Sequence, residues 1–440
     1  MARILILVLF SFVFSFQASA QKDLQFTCLD SVFAYAGKNS SVSKTDAQQV
    51  ILARFGKLAS YLNILNLRNP LTFNLTDNTA LPVSFIPANL LGGPPGKFKE
   101  ITLGQQYLGN FTVAPQIDII NAGAWSRIRT ATLNEELTTE QNSINTKTLF
   151  ESIAACYYNI LSFQEQLVMI QSNLTATDTL LGIVTGKFNQ GLVRQQDVND
   201  VNVNKLSLTD KEQELELSLE QQYNSLILLC DAPAGTKLVI QEKLGYEASF
   251  PSSMTANSQL LFKASVLQTE LARADMRTNR LMNSPVVSLV YANSYYQNSN
   301  DRFFDYGPGE QWLNSVYFGA KVTWNLPDVN QLVAARNSKI NYSIAEINLE
   351  HNKVQDEVSN AQLQLDYQKA WSAVNSAKQI YQLKDQNYSM ARNQYDQQIL
   401  PFDKLLLAFN EQVNNHLNYN SALANLLYVK SKIDLNNKLK

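Results

Sequence analysis

The 440-residue sequence is poor in residues that interrupt or cross-link a chain. Its 12 prolines and 16 glycines fall in a few places, which suits long uninterrupted elements. Three cysteines, Cys28, Cys156 and Cys230, are odd in number and far apart, which argues against a disulfide framework. The two isolated histidines, His351 and His416, give no metal-ligand spacing, and no cofactor is expected. With 36 basic and 38 acidic residues, charge gives no electrostatic case for nucleic acid. There is no nucleophile with a paired base and no phosphate loop, so an enzymatic reading has nothing to rest on. Beyond residue 20 no stretch approaches the roughly 20 apolar residues of a membrane-crossing helix. If the chain enters a bilayer, it does so as strands.

Residues 1–20 read as an export signal, with Arg3 at the positive end, an apolar run over 4–16, and Ala18-Ser19-Ala20 as the cleavage site. The run is too short to anchor the chain. Cys28 lies too far from it, and follows the wrong residues, to be a lipoprotein cysteine.

Hydrophobic periodicity then divides the chain. Residues 21–70 form an N-terminal helical segment, with Ala47, Ile51, Phe55, Leu58, Leu62 and Leu65 at helical spacing up to Asn69-Pro70. Residues 71–123 switch to period two and form a first strand pair. A weaker strand is expected over 81–91 and a strong one over 101–120, around a Gly/Pro-rich loop at 92–97. In the strong one Ile101, Leu103, Tyr107, Phe111, Val113, Ile117 and Ile119 share a face opposite Asp118. Residues 124–230 form a long helical hairpin with its tip near 187–200, and 231–254 a linker with a short strand at Leu238–Ile240. The order then repeats, as a helix at 255–284, a second strand pair at 285–327 and a second hairpin at 328–440, tip near 395–404. In the last strand Val316, Phe318, Ala320, Val322 and Trp324 face away from Lys321. Each first helix of a hairpin would be a rod of roughly 90 to 100 Å. The second rod carries a coiled-coil stripe, Ile340, Ile344, Ile347, His351, Val354, Val358, Ala361 and Leu365.

The two tips look alike. "KFNQGLVRQQDV" and "QYDQQILPFDK" each hold an aromatic, a polar turn, an aliphatic pair and an Asp opening a helix. Matching Phe188 with Tyr395 and Asp197 with Asp403 makes the second copy one residue shorter, with Gln398 where the first has Gly191.

A duplicated helix-strand-strand-helix order, these tips and "VTWNL" before a helix together resemble the TolC-type outer-membrane efflux proteins, across essentially the whole mature chain. The resemblance implies a mostly α fold with β, in which three chains of four strands close a twelve-stranded β-barrel in a Gram-negative outer membrane. The hairpins would continue it as a helical barrel through the periplasm. It implies a homotrimeric exit channel for efflux or type I secretion, docked at its tip by a periplasmic adaptor and served by an inner-membrane transporter. A structural or adhesive coiled-coil surface protein would explain the rods but not the duplicated strand pairs. A stand-alone porin would explain only the strands.

The acids Asp197, Asp200 and Asp403 match, or lie beside, the family's acidic periplasmic constriction and are candidates for a cation-favouring gate. Capping a first helical turn explains them equally well. Phe188, Gly191, Leu192, Val193, Tyr395, Ile399 and Leu400 are candidates for the adaptor-docking tip. Trp312, Phe318, Val322 and Trp324 are candidates for a belt facing outer-membrane lipid.

Overall fold

The computed structural model describes residues 23–68, 70–233, 235–245, 251–307, 311–324 and 329–439. The expected export signal lies outside them, as does Pro327-Asp328 before the second rod. The chain forms two units: Met1–Gln49, Thr139–Ala264 and Glu350–Lys440, then Val50–Thr138 and Ser265–Leu349.

In chain order the helices are α1 (Leu29–Asn39), α2 (Ser41–Leu62), α3 (Ala122–Asn189), α4 (Gln195–Cys230), α5 (Leu260–Leu281), α6 (Val329–Asp396) and α7 (Phe402–Lys438). The N-terminal helical segment is thus two helices rather than one. Ser40 is extended between them (φ −62°, ψ 144°), and its hydroxyl accepts the Ser43 N–H at 3.2 Å, starting a new helix. The duplication is regular. α2 and α5 each have 22 residues, α3 and α6 each have 68, and α4 and α7 have 36 and 37. Both ends of the long rods are related by one step (329 − 122 = 396 − 189 = 207).

The first unit holds the tips and the linker. Strand β1 (Leu24–Phe26) pairs in parallel with β7 (Leu238–Ile240). They cover a core in which Ile153, Tyr157, Ile160 and Leu161 of α3 meet Leu226 and Cys230 of α4. Its counterpart joins Leu363, Tyr367, Ala370 and Val374 of α6 to Leu426, Val429 and Ile433 of α7. Each core buries one tyrosine with its hydroxyl satisfied, Tyr157 on Glu242 and Tyr367 on the Pro251 carbonyl at 2.8 Å. α3 includes an 18-residue window of mean hydropathy 1.2, apolar enough by length and composition to cross a membrane. Within α3, Ile153, Tyr157, Ile160 and Ile170 are fully buried against neighbouring helices.

The second unit is a helical layer beside a sheet. The helical layer runs α2–α3–α5–α6. Arg54 and Lys57 reach Glu135 at 3.1 and 3.0 Å, Thr278 donates to Ser126 at 2.7 Å, and Thr269 donates to the Ala345 carbonyl at 3.2 Å. The sheet contains β2 (Leu71–Asp77), β5 (Tyr107–Val113), β6 (Gln116–Ile120), β8 (Val286–Ser299) and β9 (Leu313–Thr323), all antiparallel. β5 and β6 pair with β8 in one register across Ala114-Pro115, so they act as a single strand, and the Pro115 carbonyl still accepts the Tyr291 N–H at 3.0 Å. The sheet is therefore four strands wide, in the order β2, β5/β6, β8, β9.

The expected weak strand at 81–91 is corrected. Only β3 (Val83–Pro87) forms there, and it pairs with β4 (Phe98–Thr102) in a separate hairpin. The sheet takes "LTFNLTD" instead, whose Leu71, Phe73 and Leu75 alternate with Thr72, Asn74 and Thr76. The strong strand also begins later than expected, at Tyr107, because Gly104 at φ +124° breaks the alternation from Ile101.

Candidate functional site

Directly paired residues of an antiparallel sheet share a face. Following the registers, Leu71, Phe73 and Leu75 share one with Phe111, Val113 and Ile117, then Val287, Leu289 and Tyr291, then Val316, Phe318 and Val322. The other face carries Thr72, Asn74, Asn110, Thr112, Gln116, Asp118, Ser288, Ser294, Ser315 and Lys321. Most of the apolar face is uncovered, with Phe318 at 72% exposure, while at one end Phe304 stacks on Phe73 and Phe303 packs on Tyr107. The four belt candidates fall on this face or at its ends. Trp312 lies just before β9 and Trp324 just after it, at opposite ends of the strand. A Cβ on Gly109 would come within 3.2 Å of the Trp312 ring, so a larger residue there would push that ring aside. The Trp324 indole donates to the Asn283 carbonyl at 3.1 Å. At its edges the sheet ends in β2 and β9, each with one side unpaired among the described residues.

The helical layer of the second unit ends in the same way. Ile51, Phe55, Leu58 and Leu62 on α2 are exposed, as are Ile340, Ile344 and Ile347 on α6. The coiled-coil stripe continues exposed through Val354, Val358 and Leu365. What α6 buries is a different stripe, including Ala345 and Leu363.

In the first unit the two tips meet in one core made by Val184, Val198, Val201, Ala391, Tyr395, Phe402 and Leu405. Their turns are built alike. Gly191 donates to the Phe188 carbonyl at 2.8 Å and Leu192 to that of Lys187 at 2.9 Å, while Gln398 donates to Tyr395 and Ile399 to Gln394, both at 2.9 Å. Both pairs are the hydrogen bonds of a Schellman helix end, which requires a left-handed residue. Gly191 supplies it at φ +72° and Gln398 adopts it at φ +61° despite its side chain. The equivalence runs at the step of 207 into the next helices, whose N-caps are Arg194 and Pro401 (401 − 194 = 207). The matching of Asp197 with Asp403 is therefore wrong. Lys404 occupies the position of Asp197, Asp403 lies one residue earlier, and no residue is missing.

The acids are accordingly not alike. Asp197 is 6% exposed, accepts the Arg194 N–H at 2.8 Å and lies 3.3 Å from its guanidinium. Pro401 has no N–H to give, and Asp403 is exposed, while Asp200 is half-buried. The docking candidates also divide. Leu192 at 63% and Ile399 at 69% are exposed, and Phe188 is about one third exposed at 37%. Val193 and Leu400 are half-buried, and Tyr395 is buried against Phe402 beneath the Lys187 ammonium at 4.3 Å. Among the described residues no group of three or more His, Cys, Asp or Glu converges as a metal site.

No protein-family model matches the chain, and no curated protein matches it. Solved structures do. The outer membrane protein VceC of Vibrio cholerae is 14% identical with a TM-score of 0.70, over 92% of this chain and 94% of that one. The CmeC outer membrane channel of Campylobacter jejuni is 13% identical with a TM-score of 0.74, over 93% and 85%. The open-state MtrE outer membrane channel of Neisseria gonorrhoeae is 14% identical with a TM-score of 0.63, over 93% and 88%. At such identities the likeness is one of fold: a TolC-like arrangement of long helical hairpins and strands.

Proposed function

We propose that the chain is one third of a homotrimeric exit channel, whose sheets close a twelve-stranded barrel in a Gram-negative outer membrane while its helices extend into the periplasm. The observation that carries this is the double incompleteness of the second unit. Both the sheet and the helical layer end on each side in an open, apolar edge. A sheet edge left in hydrocarbon costs several kcal/mol for each unpaired backbone group. Joining the β2 edge of one copy to the β9 edge of the next removes every edge, and brings the α2 stripe onto the α6 stripe. Such head-to-tail contacts close a ring. Eleven-residue β9 has the length of one tilted crossing, which takes roughly 9 to 11 residues. Trp312 and Trp324 then lie at its two interfaces, with Phe318 and Val322 toward lipid.

The channel is passive and works with a periplasmic adaptor and an inner-membrane transporter for efflux or type I secretion. Phe188, Leu192 and Ile399 are the tip surface offered to the adaptor, while Val193, Tyr395 and Leu400 hold that surface in shape around Gly191 and Gln398. Asp200 and Asp403 form the accessible acidic part of a cation-favouring constriction, and Asp197 acts on it through its cap. Planar-bilayer conductance of the purified trimer tests the reading. Small cation-selective channels that lose selectivity in Asp200→Asn/Asp403→Asn are expected. A folded trimer that is soluble without detergent and gives no channels would favour the adhesive coiled coil.

A further inference from the structure

The second unit carries a basic groove that the channel reading leaves unused. It is a cavity of about 930 Å³ between α3 and α5, lined by Arg129, Arg273, Arg277 and Arg280 with a single carboxylate, Glu270. Glu270 pairs with Arg129 at 3.0 Å, so three guanidiniums meet no carboxylate in the lining. Trp125, half exposed, closes one end.

Two features fix what the groove faces. The first is height. Trp125 is in the first turn of α3, just after β6, and Arg280 is in the last turn of α5, just before β8. The groove thus begins where the sheet ends. The second is side. Gly123 and Arg127 of α3 line a different cavity with Asn66 and Asn121, both of which donate to Asp118 on the polar face of the sheet. At about 100° per residue, Trp125 and Arg129 point to the opposite side of α3. The basic groove therefore shares the side of the apolar face. Because α3 and α5 are neighbours within one chain, joining copies at α2 and α6 leaves it open.

We propose, resting on the membrane placement above, that this groove binds the anionic phosphate headgroup of a phospholipid in the adjoining leaflet. Guanidiniums match phosphate oxygens bidentately, and an interfacial tryptophan suits the junction of headgroup and acyl chain. The ligand is an amphiphile, with its phosphate in the groove and its chains along Leu71, Phe111 and Val287. Such a clamp fixes the depth of the barrel in the bilayer.

The full-length trimer, purified in nonionic detergent, is titrated with phosphatidylglycerol or phosphatidylcholine, and bound lipid is counted by native mass spectrometry. Phosphatidylglycerol is expected to bind more tightly, and Arg277→Gln/Arg280→Gln to weaken it on the order of 25-fold, about fivefold per charge. Arg277→Lys/Arg280→Lys, which keeps the charge, should restore most of the binding. Unchanged affinity in the Gln variant would overturn the proposal. Displacement by millimolar inorganic phosphate would also overturn it, by making the groove a site for free anions. A wild-type protein that conducts but shows no lipid preference defeats only this inference, whereas one that never enters a bilayer defeats the channel reading.

Discussion

The two helical hairpins share a backbone and differ in chemistry, residue for residue at the step of 207. In the first, Asp178 pairs with Lys205 at 2.7 Å, while in the second Asp385 accepts from Gln412 at 3.2 Å at the same two positions. One residue earlier on each helix the relation reverses. Lys384 and Glu411 form an ion pair at 2.6 Å, whereas their counterparts Thr177 and Asn204 are buried, and Thr177 Oγ1 and Asn204 Nδ2 find no hydrogen-bond partner. At the tips Gly191 faces Gln398 and the Arg194–Asp197 cap faces Pro401 and Lys404. The helix end, a backbone device, has survived duplication, and the polar links laid over it have not. Any movement of the tips therefore breaks different bonds in the two halves.

The largest effect should come from the cap. Asp197→Ala leaves the Arg194 N–H without its acceptor and is expected to cost about 1–2 kcal/mol in α4, read as faster hydrogen exchange in its first turn. Asp403→Ala, at an exposed position that caps nothing, should change exchange in α7 by less than about 0.5 kcal/mol. Equal losses would restore the equivalence of the two acids that the turn geometry denies. Next come the left-handed residues. Gly191→Gln copies the second turn into the first and should cost about 1 kcal/mol, while Gln398→Gly should gain up to about 1 kcal/mol. If Gln398→Gly destabilises, the glutamine side chain is making a contact that outweighs its strain. Smaller again is Lys205→Gln, which gives the first hairpin the link of the second. Both partners are half exposed to solvent, so a change within about 0.5 kcal/mol is expected in thermal melts, shrinking further at high salt.

Periodicity made the rods, their duplication and strands β8 and β9 legible, because each rests on local spacing. Pairing is not local. Residues 71–77 and 83–87 both alternate, and nothing in either says that the first joins the large sheet and the second a side hairpin. Asn69-Pro70 ends the helical pattern, and the strand that follows at once is only seven residues long. The tip error has a similar origin. Matching Asp with Asp follows residue identity, whereas the fold preserves hydrogen-bond positions, which Lys404 can occupy as well as an acid. Of the candidate docking residues, the aliphatic pairs gave no sign that their first members would be exposed and their second half-buried. The basic groove was half visible in Arg273, Arg277 and Arg280 at helical spacing, but Arg129 and Trp125 are brought to it only by the packing of α3 on α5.

The smallest expected effect separates the hairpins by pH. His416 of α7 stacks on Tyr381 at 4.2 Å, where the first hairpin has Thr209 and Leu174. Burial holds its imidazole pKa below the ordinary 6.5, against the opposing pull of Asp385. The unfolded hairpin therefore binds its proton first as pH falls. The second hairpin should keep full stability above pH 6.5 and lose some of it on acidification through the depressed pKa, while Thr209 gives the first no such slope. Hydrogen exchange at matched intrinsic rates, compared between α4 and α7 from pH 7.5 to 5, should show α7 alone loosening, and His416→Gln should flatten the difference. If α4 and α7 loosen together, the cause lies in carboxylates the hairpins share, and His416 adds nothing of its own.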